Sequence, residues 1–214
     1  MRNIFLFLML FLFSCNEHKI KVIVDEYSKG KPRIIDYFDN EKDAASPPIV
    51  LVRNGVGNAN KPISFDEERY YENGKIHSKG RYTKGVTAGL WEYFYETGVI
   101  QSKCYYENGF EKDTVHCYDS SGELKRLLIE TDTIKRYWHG AEYFENGAKA
   151  IDFNLLNDNL DNWIIDGNWI QLYQNGQKQF QAVMRNNWTV GKWQKWNDKG
   201  DLIKEDSTPI NITF

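Results

Sequence analysis

The sequence predicts an all-β protein, an elongated array of antiparallel β-hairpins in a single-layer or weakly curved sheet. Two observations predict it. Glycines recur at an interval of 24 residues, and tryptophans keep a constant distance from those glycines. A fixed period of this size indicates a repeat array, in which each unit is stable only when stacked on its neighbours. The glycines that share this interval are Gly74, Gly98 and Gly122, then Gly85 and Gly109, then Gly176 and Gly200.

Three tryptophans repeat the same local pattern. Each tryptophan lies two residues after one glycine and seven residues before the next. This agreement in three places indicates that the tryptophan has the same structural role in each unit. The three sets are Gly89, Trp91 and Gly98; Gly167, Trp169 and Gly176; and Gly191, Trp193 and Gly200.

Each unit is typical of a β-hairpin. Short segments rich in aromatic and β-branched residues are bounded by Asn-Gly pairs, and glycine reaches positive φ at no steric cost. Trp91, Tyr93 and Tyr95 alternate along one such segment, so we expect one face of the strand to be aromatic. Glycines every 11 to 13 residues leave no room for an amphipathic helix. The turns predicted from Asn-Gly pairs are 73–74, 108–109, 146–147 and 175–176.

The segment YENGKIHSKGRY at 71–82, followed by Gly85 and by Gly89-Leu90-Trp91, resembles a known repeat. It is similar to the MORN-repeat variant of bacterial proteins related to the YwqK antitoxin family, and the resemblance covers about 69–200. The resemblance implies an elongated antiparallel sheet of successive hairpins and little about activity. The sequence departs from the pattern at Val115, where a tryptophan is expected.

A second departure is an insertion at 154–162, because Gly147 and Gly176 are 29 residues apart instead of 24. Insertions in repeat arrays normally loop out of one face, and such faces often carry recognition. Asp158 and Asp161 raise the question of calcium. The spacing does not match a DxDxDG loop, which needs a glycine at its sharp turn and a closing Glu. We therefore predict a solvated loop and no metal site.

The N-terminus has the pattern of a secretory signal peptide. Arg2 precedes a ten-residue apolar run at 4–13, which is too short to cross a membrane as a helix. Leu12-Phe13-Ser14-Cys15 resembles the lipobox of bacterial lipoproteins, in which the cysteine is acylated. This resemblance implies a signal peptide over 1–14, lipidation of Cys15, and a lipidated tether over 15–19. The protein is then expected in the bacterial cell envelope, held on a membrane by N-terminal acyl chains and facing the periplasm or the surface.

The remaining chain divides into three parts. Residues 20–68 are predicted to hold a degenerate first hairpin followed by an insertion that contains proline and glycine. Residues 69–206 form the repeat array. Residues 207–214 are a terminal strand or a loose tail.

Charge and motifs exclude several classes of function. The net charge is −3, with no basic stripe to neutralise phosphates, which argues against nucleic-acid binding. No GxSxG, HExxH or glycine-rich phosphate loop is present, so we predict no enzyme activity and no cofactor. His77 and His139 are interpreted as structural or solvated residues.

Two further cysteines lie in one predicted hairpin. If the chain turns about Phe110 and Glu111, Cys104 lies opposite Cys117. Opposed strand residues have Cβ atoms roughly 4.5 to 5.5 Å apart, near the separation that a disulfide needs. The sequence leaves two alternatives open, a disulfide or two unbridged thiols. Zinc is disfavoured, because His116 and Cys117 point to opposite faces of the strand.

The leading hypothesis is a lipid-anchored, non-enzymatic envelope protein. Its array would bind a protein or glycan partner by exposed aromatic residues and insertion loops. The alternative is an antitoxin or immunity protein that occludes a cognate toxin, as the family resemblance implies. The sequence does not identify the partner.

Overall fold

The computed structural model describes residues 19–45, 63–158 and 162–213. The predicted signal peptide and Cys15 lie outside the described residues, and so does the proline- and glycine-containing part of the first insertion, 46–62.

The described chain folds into fourteen strands and one short helix, with bounds as follows: β1 (Ile20–Ser28), β2 (Lys31–Phe38), α1 (Glu41–Ala44), β3 (Phe65–Tyr70), β4 (Ile76–Thr83), β5 (Val86–Phe94), β6 (Ile100–Glu107), β7 (Phe110–Tyr118), β8 (Leu124–Asp132), β9 (Tyr137–Tyr143), β10 (Lys149–Asn157), β11 (Trp163–Leu172), β12 (Lys178–Arg185), β13 (Trp188–Trp196) and β14 (Leu202–Asp206).

The strands form one sheet that is not closed. Their order in the sheet is their order in the chain, from β1 to β14, and every neighbouring pair is antiparallel. Strands lie about 4.8 Å apart in a sheet, so fourteen of them extend over roughly 60 Å. The prediction of an all-β array of antiparallel hairpins is confirmed.

Six five-residue turns with a glycine at the fourth position join strand pairs at one end of the sheet. In the first, the Tyr71 amide donates to the Lys75 carbonyl and the Gly74 amide to the Tyr71 carbonyl. The glycine has positive φ in all six, between 77° and 93°. We call them the glycine turns: 71–75, 95–99, 119–123, 144–148, 173–177 and 197–201.

The hairpin of β6 and β7 at the other end turns earlier than the sequence predicts. Glu107 pairs with Phe110 across Asn108 and Gly109, which have φ values of 53° and 90°. Positive φ at both central residues is the type I′ turn, whose twist matches that of the flanking strands. The predicted centre of this hairpin at Phe110 and Glu111 is therefore wrong by two residues.

A bulge accompanies the Gly-x-Trp pattern. In the first full unit Lys79 pairs with Glu92 while Arg81 pairs with Ala88, so three residues of β5 lie opposite Gly80 alone. Gly89 has positive φ (68°) in this bulge, as Gly167 (115°) and Gly191 (71°) have in theirs. The bulge turns the tryptophan that follows it onto one face of the sheet.

One face of the sheet is buried, and we call it the tryptophan face. Its large side chains are almost fully covered, and they form two clusters that meet at Val115. The remaining face, which we call the outer face, carries the alternate residues of each strand. The largest buried side chains of the two clusters are Phe38, Phe65, Tyr82 and Trp91, then Trp138, Phe153, Trp169 and Trp193.

Rings on the tryptophan face lie directly over glycines of the neighbouring strand. A Cβ atom on Gly80 would lie 2.2 Å from the ring of Trp91, and one on Gly140 would lie 2.2 Å from the ring of Phe153. Both distances are far inside van der Waals contact. A glycine is therefore required beneath these two rings, and each ring covers the strand in place of a second layer.

The ends of the buried face are covered by short segments. At the N-terminal end Ala44 of α1 and Ile63 pack on the first cluster. At the C-terminal end Ile210 and Ile212 pack on the second, and the indole N–H of Trp193 donates to the Thr208 carbonyl (2.8 Å). The C-terminal segment is thus neither a strand of the array nor a loose tail, because it returns across the start of β13.

The second insertion does not loop out as expected over its first residues. β10 continues through Asn157 and pairs with β11, with Leu155 opposite Ile165. Both side chains are buried, with exposed fractions of 3% and 0%. The insertion therefore lengthens a hairpin and adds to the core, because its leucines keep the strand alternation. Residues 159–161 lie outside the described residues.

We expect Trp169→Ala to lower the free energy of unfolding by about 3 kcal/mol or more, since the ring is 3% exposed in the second cluster. Trp188→Ala is the matched control, because that ring is 50% exposed, and we expect a change under about 1 kcal/mol there. Urea denaturation measures both. Equal losses in the two variants would contradict the described burial.

Candidate functional site

The signature tryptophans do not form an exposed binding surface. Trp91, Trp169 and Trp193 lie on the tryptophan face with exposed fractions of 3%, 3% and 2%. The expectation that exposed aromatic residues of the repeats bind a partner is therefore wrong for these rings. The surface that the array offers to a partner is the outer face together with the turns.

A row of alternating charges crosses the outer face. Glu68, Lys79, Glu92 and Lys103 lie opposite one another on β3 to β6. The Glu92 carboxylate contacts the Nζ atoms of Lys79 (2.9 Å) and Lys103 (3.3 Å). These two ammonium groups lower the pKa of Glu92, with the hydrogen bond from Lys79 as the largest cause. Cross-strand pairs of opposite charge stabilise a sheet modestly and present a defined pattern to a partner.

A shallow groove of about 530 Å³ runs beside this charge row. Glu68 lies in it and accepts hydrogen bonds from the hydroxyls of Tyr37 (2.7 Å) and Tyr70. Burial and the adjacent carboxylate both raise the pKa of the Tyr70 hydroxyl, which therefore stays a donor. The groove thus combines paired acidic and basic side chains with one tyrosine hydroxyl. Its side chains include Tyr37, Asp66, Glu68, Lys79, Arg81, Leu90 and Glu92.

Glu67 and Glu68 are adjacent on β3 and lie on opposite faces of the sheet. Glu67 points to the tryptophan face, is 1% exposed and lies opposite Asp36, which is 0% exposed. Its carboxylate accepts a hydrogen bond from Arg69 Nε (2.6 Å). Strand alternation alone places consecutive glutamates on opposite faces, so this signal was present in the sequence.

Apolar side chains interrupt the outer face in two places. Leu90 lies opposite Tyr105, with exposed fractions of 54% and 47%. Val183 lies opposite Val190 towards the other edge, and both are exposed. Each pair is small, and neither is predictable from the sequence, because isolated exposed apolar residues carry no pattern.

Tyrosine hydroxyls connect successive glycine turns. The first residue of a turn donates its hydroxyl to the carbonyl just before the next turn, 23 residues further on. Tyr71 donates to Phe94 (2.7 Å), Tyr95 to Tyr118 (2.8 Å) and Tyr173 to Trp196 (2.9 Å). These hydrogen bonds fix the spacing of adjacent hairpins at this end of the sheet.

Two glycine turns begin with Asp or Asn, whose side chain accepts hydrogen bonds from amides of the same turn. Asp119 accepts hydrogen bonds from the amides of Ser121 and Glu123, and Asn197 accepts from the amides of Lys199 and Asp201. The Ser121 hydroxyl is the largest cause that lowers the pKa of Asp119 to about 2. A side chain used within its own turn does not connect to the next hairpin.

The structure places the other glycines of the repeat signature in turns. Gly85 and Gly109 lie in type I′ turns, and both have positive φ. Glycines at the fourth position of the glycine turns are Gly74, Gly98, Gly122, Gly147, Gly176 and Gly200.

Cys104 and Cys117 are unbridged thiols in the structure. Cys104 lies opposite Val115 and Cys117 opposite Ser102, so the predicted direct pairing of the two cysteines is wrong. The cause is the earlier hairpin turn together with the bulge in β7, which shift the register. Burial raises the pKa of the Cys104 thiol to about 11 and also raises that of Cys117.

The histidines singled out in the sequence have structural contacts. His77 packs edge-on against Tyr71, with ring centroids 4.8 Å apart, and burial lowers its pKa. His139 Nε2 lies 3.6 Å from Asp152. Within residues 19–45, 63–158 and 162–213, no three His, Cys, Asp or Glu side chains are grouped to hold a metal ion. No helix among these residues is long and apolar enough to cross a membrane.

Comparison with known proteins identifies the repeat. Residues 66–84 and 88–108 match the family model of the MORN repeat variant. The matched segments hold most of β3 to β6, which carry the charge row and the first bulge, and these segments are therefore similar to the MORN repeat variant. Curated proteins gave no match to the chain.

We expect Tyr71→Phe, Tyr95→Phe and Tyr173→Phe each to lower the free energy of unfolding by about 1 kcal/mol, since each removes one inter-hairpin hydrogen bond. Tyr105→Phe is the control, because that side chain is 47% exposed on the outer face. Urea denaturation midpoints measure the effect. Unchanged midpoints in all three variants would contradict a bridging role.

We expect Cys104 and Cys117 to react slowly with iodoacetamide at pH 8 in the folded protein, since burial raises both thiol pKa values. Unfolding without a reductant should expose both to alkylation, detected by peptide mass spectrometry. A parallel reduced sample is the control. If both stay unlabelled until reductant is added, the cysteines are bridged and the unbridged geometry is wrong.

Proposed function

We propose that this chain is a non-enzymatic, lipid-anchored protein of the bacterial cell envelope. Its hairpin array is the binding scaffold for a protein or glycan partner. The observation that supports this proposal is that the two faces of the open sheet differ in burial. The tryptophan face holds the fold together, so the outer face and the turns are free for recognition.

The outer face supports specific recognition in several ways. The charge row from Glu68 to Lys103 sets a pattern of signs at strand spacing, which selects partners by electrostatic complementarity. The groove along it adds the Tyr37 hydroxyl and the exposed Leu90. A charged rim with a small apolar contact is typical of a transient interface.

The anchor is supported by the N-terminal sequence. Arg2, the apolar run over 4–13 and the lipobox-like Leu12-Phe13-Ser14-Cys15 are the features that a lipoprotein precursor needs. Acylation of Cys15 places the start of the array within about five residues of the membrane, because β1 begins at Ile20.

We expect Cys15→Ala to abolish incorporation of labelled palmitate and to move the protein from the membrane fraction to the soluble fraction, because the acylated atom is lost. Cys117→Ala is the control, since that residue lies in the sheet. Metabolic labelling and fractionation measure both effects. Undiminished membrane retention of Cys15→Ala would overturn the anchor.

We expect cross-linked capture from the native envelope to recover a partner with the full-length protein and to lose it with Glu92→Lys, because reversal of this charge breaks the row. Glu205→Lys is the control, a matched reversal on β14, the edge strand. Recovery with all three proteins would show that the charge row does not bind. Capture of a secreted toxin, with loss of protection in Glu92→Lys cells, would assign the immunity function instead.

A further inference from the structure

The row of tyrosine bridges between glycine turns is interrupted on both sides of one turn. Turn 144–148 begins with Phe144, which has no hydroxyl to donate. The turn before it begins with Asp119, whose side chain is used within its own turn. We call the contact between two successive glycine turns a joint. The joint between turns 119–123 and 144–148 and the joint between turns 144–148 and 173–177 therefore lack the hydrogen bond that closes the joints after Tyr71, Tyr95 and Tyr173.

A cleft lies at each of these two joints, and Phe144 lines both. The first has a volume of about 490 Å³ and lies between turns 119–123 and 144–148. The second has a volume of about 430 Å³ and reaches from Phe144 across turn 173–177 to Asp198. Each cleft is of a size that holds one or two sugar rings or a short peptide segment.

The side chains of the two clefts combine aromatic rings with amides. Tyr143 and Phe144 line the first cleft with the amide of Asn146. Phe144 and Tyr173 line the second, together with the amides Gln174, Asn175 and Gln179. The Asn146 oxygen and both polar atoms of the Asn175 side chain already make hydrogen bonds in the turns. The amides of Gln174 and Gln179 offer donors and an acceptor, which match a hydroxyl group that donates and accepts. Ring faces suit the apolar C–H faces of a pyranose.

The charge of the clefts excludes an anionic ligand. Glu123 and Glu145 line the first cleft and Asp198 the second, whereas neither lining includes lysine or arginine among the described residues. A sugar acid or a phosphate would meet only like charge there. A purely cationic ligand would leave the donors of the amides in the second cleft without acceptors.

We propose that the paired clefts around Phe144 bind a neutral carbohydrate chain, with Phe144 as the central stacking surface and the amides as hydroxyl partners. This inference rests on the proposed scaffold function and names the ligand class of one part of it. The lost tyrosine bridge at Phe144 thereby gains a role, because a ring that is not hydrogen-bonded to the next hairpin is available to stack on a sugar.

Saturation-transfer NMR on the full-length protein tests the proposal. The probes are the neutral hexasaccharides of maltose, cellulose, mannan and chitin, with hexagalacturonate and hexalysine as charged alternatives. We expect at least one neutral chain to bind below about 1 mM and neither charged probe to compete with it. Binding of hexalysine alone would assign the clefts to a basic peptide, and binding of none of the neutral chains would overturn the proposal.

Two substitutions locate the site. Phe144→Ala should weaken binding of the neutral chain at least about tenfold, because it removes the shared ring. Phe110→Ala should leave binding unchanged, since this exposed ring lies at the opposite end of the strands. Equal loss in both variants, or no loss in Phe144→Ala, would place binding elsewhere.

Phe144→Tyr separates the cleft from the stability of the fold. Its hydroxyl is placed to donate to the Leu172 carbonyl, by analogy with Tyr71 and Phe94. We expect a higher urea midpoint and weaker carbohydrate binding, whereas a merely structural Phe144 would move only the midpoint. A protein partner retained in envelope capture while no neutral sugar binds would leave the scaffold function standing and overturn the carbohydrate site alone.

Discussion

A single sheet has to bury one face without a second layer to cover it. This chain meets that constraint by laying large rings flat over residues that have no side chain. The ring of Trp91 occupies the space above Gly80, and that of Phe153 the space above Gly140. The bulge at Gly89 turns Trp91 onto the tryptophan face. The rest of the fold depends on the buried rings of the tryptophan face, because they cover the neighbouring strands where a second layer is absent.

Rings and turns hold the array at different places. The rings join neighbouring strands across the middle of the sheet, and the tyrosine hydroxyls join successive hairpins at one end. Where a hydroxyl is missing, as at Phe144, the strands remain paired without this hydrogen bond between the turns. The residues of the turns can therefore vary without loss of the buried face, and we propose that recognition uses the turns together with the outer face.

The hairpin architecture could be predicted from the sequence because glycine and tryptophan spacing reports turns and bulges directly. The register could not, since it depends on how many residues a bulge adds. The type I′ turn at Asn108 and Gly109 and the bulge in β7 shifted the partners of Cys104. The clefts around Phe144 could not be predicted from the sequence either. A missing hydroxyl has a consequence only if its acceptor is known, and in the intact joints that acceptor lies 23 residues further along the chain. Strand alternation alone predicts that Glu67 and Glu68 lie on opposite faces of the sheet.

The strand order from β1 to β14 contains no crossover, and each strand pairs only with its neighbours along the chain. Ordering can thus spread from any one hairpin to the next without closing a long loop, and such chains fold rapidly for their size. The same unbranched path lets gene duplication add or remove a hairpin pair, because the two cut edges present matching strands. In-frame duplication or loss of a hairpin pair is therefore compatible with this sheet at almost every joint.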